Sequence, residues 1–158
     1  MVYFLHKWNV ADLKNKPNRS IVIHSMRKAI GVETELRTHV IELSAIQKFS
    51  EAVGRVDTNI SDDPTNVAIP PTFLRSLSPG PPVIKFDSPY RDMLDGGSSW
   101  EFFHEISIGE KVVVSEKLIE VEERTGRLGD MLIVKMETSY RKTNGIQLAT
   151  QINTLIHY

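Results

Sequence analysis

An α+β fold, in which a proline-interrupted helical layer covers the apolar face of an antiparallel sheet, is predicted for this chain by three observations. From Trp100 to Tyr158 the sequence alternates apolar and polar residues with a period of two, and an Asn144-Gly145 turn joins its last two runs. A single stretch from Ser44 has helical apolar spacing with a signal at each end. Residues 55 to 95 hold seven of the chain's eight prolines, which forbid a long uninterrupted helix or a central strand there.

Taken in order, residues 1–25 read as an N-terminal extension. Lys14, Lys16, Pro17, Asn18 and Arg19 make a solvated linker between the apolar patches Val2 to Leu5 and Ile21 to Ile23, and the ordered domain is expected over 26–158. Val32, Leu36 and Val40 share one parity and Glu33, Glu35, Arg37 and His39 the other, as in a half-buried strand, with His39 on the exposed side. In the helix that follows, Ser44 is the expected N-cap and Gln47 its capping-box partner. Ile46, Phe49 and Val53 form the buried face, and Gly54 supplies a left-handed C-cap. Two short helices fit the proline-rich middle. One runs from about Thr72 to Leu77, and the other starts at Ser88 with Pro89 at its first position and ends at Gly96. Past Gly97, Trp100, Phe102, His104, Ile106 and Ile108 line one side of a strand. Lys111 to Glu123 is strand-rich, but its parity slips around Ser115 to Leu118, which predicts a bulge. Leu132 to Arg141 and Ile146 to Tyr158 form the closing hairpin. One apolar sheet face needs a helix laid across it, and the segment from Ser44 to Leu94 is the material available.

The composition narrows the function. At 158 residues the chain is expected to form one domain. Nineteen basic residues nearly balance twenty acidic ones, so no net field draws it to nucleic acid or an anionic membrane. Cysteine is absent, which excludes disulfides, thiolate metal sites and a Cys nucleophile; a reducing, cytoplasmic location fits this. No apolar run approaches the roughly 20 residues of a membrane helix, and the N-terminus lacks a secretory signal pattern.

Ala52-Val53-Gly54, Ile69-Pro70-Pro71-Thr72-Phe73, Leu94-Asp95-Gly96-Gly97, Ser107-Ile108-Gly109-Glu110 and the run from Arg124 to Asp130 follow one another in an order that resembles the MaoC-type dehydratase family. The similarity is to its N-terminal-half subgroup and covers roughly Met26 to Tyr158. It implies a single hotdog domain, a curved antiparallel sheet wrapped around a central helix, and (R)-specific hydration of 2-enoyl thioesters of coenzyme A or acyl carrier protein. No further cofactor is implied.

Catalytic members of that family carry a Gly-Asp-x-Asn-Pro-x-His signature after the first helix. Water addition to an unsaturated thioester needs a carboxylate and an imidazole to hold and deprotonate the water, and a backbone N–H to polarise the carbonyl. Here Gly54 matches, but Arg55 stands at the acid position, Asp57 at the asparagine, Thr58 near the proline and Ile60 at the histidine. The resemblance therefore implies an accessory subunit with no catalytic residue of its own, paired with a catalytic MaoC-like hydratase subunit as a dimer or heterotetramer. The chain's end at Tyr158 is taken to make that partner a separate subunit.

Substrate contacts are expected at Pro71, Thr72 and Phe73, whose helix start can face a thioester oxygen or a phosphate. Pro71 itself lacks the N–H donor that active members use at this place. Gly96 and Gly97 can admit a pantetheine arm, or simply make a tight strand start. Arg124 and Arg127, with Arg141 and Lys142, can meet nucleotide phosphates, or serve solubility at hairpin ends. Asp57, Asp62 and Asp63 read as turn formers rather than an acid or metal cluster, and no metal is expected. His104 is either a core or interface histidine with one hydrogen bond or a replacement base, and Trp100, Phe102 and Phe103 read as core and interface aromatics. Two other functions compete. A hotdog thioesterase would need a helix-borne carboxylate, with Asp92 and Asp95 as candidates; the alternative is a non-enzymatic acyl-thioester binding protein.

Overall fold

The computed structural model describes residues 18–54, 69–81, 89–127 and 129–158. Its elements are α1 (Arg19–Lys28), β1 (Arg37–Val40), α2 (Leu43–Ala52), a 3-10 helix (Pro71–Ser76), β2 (Met93–Phe102), β3 (Lys111–Gly126), β4 (Gly129–Lys142) and β5 (Gln147–His157). The strands make one antiparallel sheet in the order β1-β3-β4-β5-β2. Register shifts between Asp95 and Gly97, Leu118 and Glu120, and Tyr140 and Arg141 give the sheet the local bends a curved sheet needs.

The bulge at Ile119 decides which face is the core. Val112 and Val114 point to the same face as Tyr140, and a strict alternation would then send Val121 to the other one. One extra residue resets the parity, so Val121 pairs with Val134 on the helix-covered face. That face carries two apolar clusters. At one end α2 and the 3-10 helix lay Ile46, Phe73 and Leu74 over Val112, Val114 and Tyr140. Phe49 meets Phe73 edge to face, centroids 5.6 Å apart. At the other end α1 lays Val22, Ile23 and Met26 over Val121, Leu132 and Val134. The opposite face is a ladder of cross-strand ion pairs, Lys117–Glu137 and Lys135–Glu120 at 2.8 Å each.

Several expectations need correction. α1 crosses the boundary drawn at residue 25, and its Val22 and Ile23 are buried on the sheet while Ile21 stays exposed. α1 is held by Asn18, whose side chain accepts from Ser20 N, and by Arg19, which bonds Asp130 at 2.7 Å and Glu123 at 3.0 Å. The first strand spans only four residues, and Val32, Leu36 and Val40 are exposed. Upstream of it Thr34 is the buried residue, because its backbone N–H donates to Glu116 O and its Oγ1 accepts from Glu116 N. α2 starts at Leu43 with Glu42 as N-cap and no side-chain capping bond, so Ser44 lies inside it, and Val53 is exposed. Gly54 does adopt the left-handed conformation, φ 73°.

Residues 93–96 are strand, not the end of a helix: β2 pairs with β5 from Met93 opposite His157 to Phe102 opposite Ala149. The bulge at Gly96 breaks its alternation, which hides the first half of the strand from a period-two reading. Beyond Phe102 the chain leaves the sheet, and residues 103–110 form a connecting segment. Ser88 lies outside the described residues. Among the described residues no helix is long and apolar enough to cross a membrane.

Candidate functional site

A cavity of about 710 Å³ opens where β2 ends. One wall is Ile69, Pro70, Pro71 and Leu74; the other is the chain from 102 to 108. Local chemistry builds both. Pro70 and Pro71 set the extended-to-helical change that starts the 3-10 helix, and Phe73 N–H donates to Pro70 O at 2.8 Å. Phe73 and Leu74 are buried in the core and hold that wall in place. The facing wall is anchored by Phe103 N–H, which donates to Leu148 O at 2.9 Å, and by Ser107 N–H, which donates to Glu110 at 3.1 Å. Ile106 and Ile108 pack against the core cluster.

Trp100 stacks on Phe102 at 5.6 Å and on Tyr140 at 5.7 Å. The polar side chains of the cavity are His104, Glu105 and Ser107. His104 Nδ1 lies 2.8 Å from Gln147 O; a carbonyl only accepts, so Nδ1 carries the proton. Phe102 and Phe103 are nearly half exposed, so they present apolar surface at the mouth instead of filling the core.

The residues expected to bind substrate fall in separate places. Pro71 lines the cavity, Thr72 is exposed and Phe73 is core. Gly97 has φ 106° and donates to Asp95 Oδ1 at 2.8 Å, which gives it a role in the β2 bulge. A side chain at Gly96 would press on Thr154 and Ile156. Arg124 and Arg127 flank the β3–β4 hairpin, and Arg124 is paired with Glu122 at 2.8 Å. Arg141 and Lys142 stand at the other end of the 14-residue β4, roughly 45 Å along the strand. They are engaged by Glu33 at 2.7 Å and Glu110 at 2.8 Å. These four cations do not form one cluster. Asp92 and Asp95, the carboxylates a thioesterase would need on a helix, lie at the start of β2. Residues 55–68, with Arg55, Asp57, Ile60, Asp62 and Asp63, lie outside the described residues.

Farther along the helix-covered face runs a polar band that sequence reading missed. Thr138 Oγ1 donates to Glu116 at 3.3 Å, Tyr140 OH to Gln151 at 3.4 Å, and Gln151 to Ser98 at 3.0 Å. Burial is the main cause that pushes the Glu116 carboxyl above the usual range and the Tyr140 hydroxyl well up. Alternation marks these residues only as inward-facing polar positions spread over β2, β3, β4 and β5. Their cross-strand meeting is set by register, which pairs Glu116 with Thr138 and Thr138 with Gln151.

The family described as "FAS1-like, dehydratase domain region" matches residues 28–151. No curated protein matches the sequence. The fold is similar to a chain of the ChsH1–ChsH2 complex from Mycobacterium tuberculosis, with a TM-score of 0.60 and 14% identity over 88% of this chain and 95% of that one. It is also similar to a chain of the HadBC (3R-hydroxyacyl-ACP dehydratase) complex from the same organism, with a TM-score of 0.52 and 14% identity over 81% and 98%. A MaoC-like dehydratase aligns with a TM-score of 0.57 and 11% identity over 84% of this chain and 43% of its own length.

Proposed function

We propose that this chain, which belongs to the MaoC-like FAS1 dehydratase family and has its hotdog fold, is an accessory half of a 2-enoyl-thioester hydratase. It shapes the acyl pocket while a catalytic MaoC-like subunit supplies the proton-transfer pair. The observation that carries this reading is the sequence after α2, where Arg55 and Ile60 stand at the acid and histidine positions of the hydratase signature. Neither side chain can take a proton from water at neutral pH. The cavity beside Pro70 and Pro71, with its isoleucine, leucine and phenylalanine side chains, suits an acyl chain. The partner is another MaoC-like chain. Two of the similar structures are two-component complexes, and β2 is a ten-residue edge strand with Met93, Leu94 and Phe102 exposed, open to pairing with a second sheet.

The substrate moiety in this reading is a coenzyme A or acyl-carrier thioester, and the cavity takes its acyl part through Pro71. The test is to express the chain with a MaoC-like hydratase subunit from its own source and measure copurification and hydration of a 2-enoyl-CoA. A joint complex whose acyl-chain preference differs from that of the catalytic subunit alone supports the proposal. Failure of the two chains to associate, or an unchanged preference, contradicts it.

A further inference from the structure

We propose that β2 selects its pairing partner by charge: this open edge of the sheet accepts an antiparallel strand that bears lysine or arginine and rejects the β2 of a second copy of the chain. The inference rests on the reading above, in which β2 takes up a second sheet, and it names the chemistry of the strand that fits. β2 is ten residues long, stands last in the strand order, and leaves Met93, Leu94 and Phe102 uncovered. Backbone groups on an open edge pair with any extended strand, a second copy included, so the choice of strand falls to the side chains.

Those side chains carry one sign of charge. From Asp92 to Phe102 the ionised residues are Asp92, Asp95 and Glu101, Glu105 follows just past the strand, and no lysine or arginine interrupts them. β5, which lies beside β2, has no Asp, Glu, Lys or Arg from Gln147 to His157, so the neighbouring strand supplies no counter-charge. Elsewhere the same sheet matches its carboxylates across strands, Glu137 with Lys117 and Glu120 with Lys135. On β2, by contrast, Asp95 accepts only from the Gly97 backbone N–H at 2.8 Å, and Asp92 lies 4.0 Å from its own neighbour Arg91. Among the described residues no cation meets Glu101, which is exposed. Two copies of β2 laid antiparallel about a two-fold axis bring the Asp92 end of each strand to the Glu101 end of the other, so like charges approach at both ends. A strand with lysine or arginine at those places turns the same approach into attraction, and the difference between the two is the selectivity.

The experiment uses the chain as its own partner. Sedimentation velocity at low salt compares the wild type, the double variant Asp92→Lys/Glu101→Lys, and their equimolar mixture. The expected result is a 1:1 complex in the mixture, at least about tenfold tighter than the self-association of either protein. That complex should weaken as salt rises to about 1 M, where the screening length is roughly 3 Å. Wild type that self-associates as tightly as it binds the variant overturns the inference, as does a mixture that stays monomeric or a complex indifferent to salt. Circular dichroism checks the fold of the double variant, and Glu101→Lys alone, a change at an exposed position, repeats the comparison where the double variant does not fold. Both components are copies of this chain, so failure here is distinct from failure of the accessory role, which is read from copurification and hydration with a catalytic subunit.

Discussion

Glu116 of β3 and Glu33, which bridges to the neighbouring Lys117, respond to pH in opposite senses. Burial is the main cause that raises Glu116 above its ordinary value of 4.5, against the hydrogen bond from Thr138. Between 4.5 and the raised value the folded chain keeps a proton that the unfolded chain has lost, so stability falls as pH rises through that window. Glu116→Gln should therefore melt a few degrees higher than the wild type near neutral pH, with the gap closing at about pH 4; melts at both pH values check this, and a constant gap contradicts it. The hydrogen bond from Arg141 is the main cause that lowers Glu33, so its contribution is present above 4.5 and disappears as pH falls. Glu33→Gln should cost at most about 1 kcal/mol near neutral pH for so exposed a pair, and less in acid; denaturant titrations at the two pH values read it. Neither effect was legible in the sequence. The Glu33–Arg141 contact spans 108 positions, and only the sheet register brings the pair together.

At the scale of elements, legibility followed local chemistry. The slip in parity near Ser115 to Leu118 announced the bulge at Ile119, the Asn144-Gly145 turn placed the last hairpin, and Gly54 ended α2 as expected. The first half of β2 was illegible because the Gly96 bulge interrupts its period, and a Ser-Pro start imitates a helix. The strand before α2 was overread, since irregular pairing with β3 buries Thr34 in place of the apolar residues. Deleting Ile119 should remove the bulge and leave Val121 on the helix-covered face, because Leu118–Met136, Glu120–Lys135 and Val121–Val134 then follow one another as a regular ladder. The expected outcome is a folded chain with native strand content, read by circular dichroism; an unfolded or aggregated chain would contradict this register. Gly80 tests how the proline-rich segment is seated: a Cβ there would overlap the backbone carbonyl of Glu35. Gly80→Ala should destabilise the chain by about 1–3 kcal/mol, the range for overpacking, and Gly54→Asn much less, because its Cβ meets open space and asparagine tolerates positive φ.

At the scale of the whole molecule, two helical layers share one sheet face, and the candidate site sits at the end where the 3-10 helix and β2 meet. α1 closes the far end, a role hidden in the sequence by the polar run that precedes it and by the short length of its apolar patch. Met26→Ala there should cost about 2–4 kcal/mol, since Met26 is 1% exposed, while leaving ligand binding at the distant cavity unchanged; a matching loss of affinity would contradict the separation of the two ends. The cavity was only partly foreseen, because Pro71 could be read as a helix start but the companion wall at 102–108 was taken for continuing strand. The most direct test of the accessory role is incorporation of labelled water into a 2-enoyl-CoA by the purified chain alone, at substrate-like protein concentrations. The account predicts no labelled 3-hydroxyacyl product above the protein-free control until the partner subunit is added. Labelled product formed by this chain on its own would contradict it.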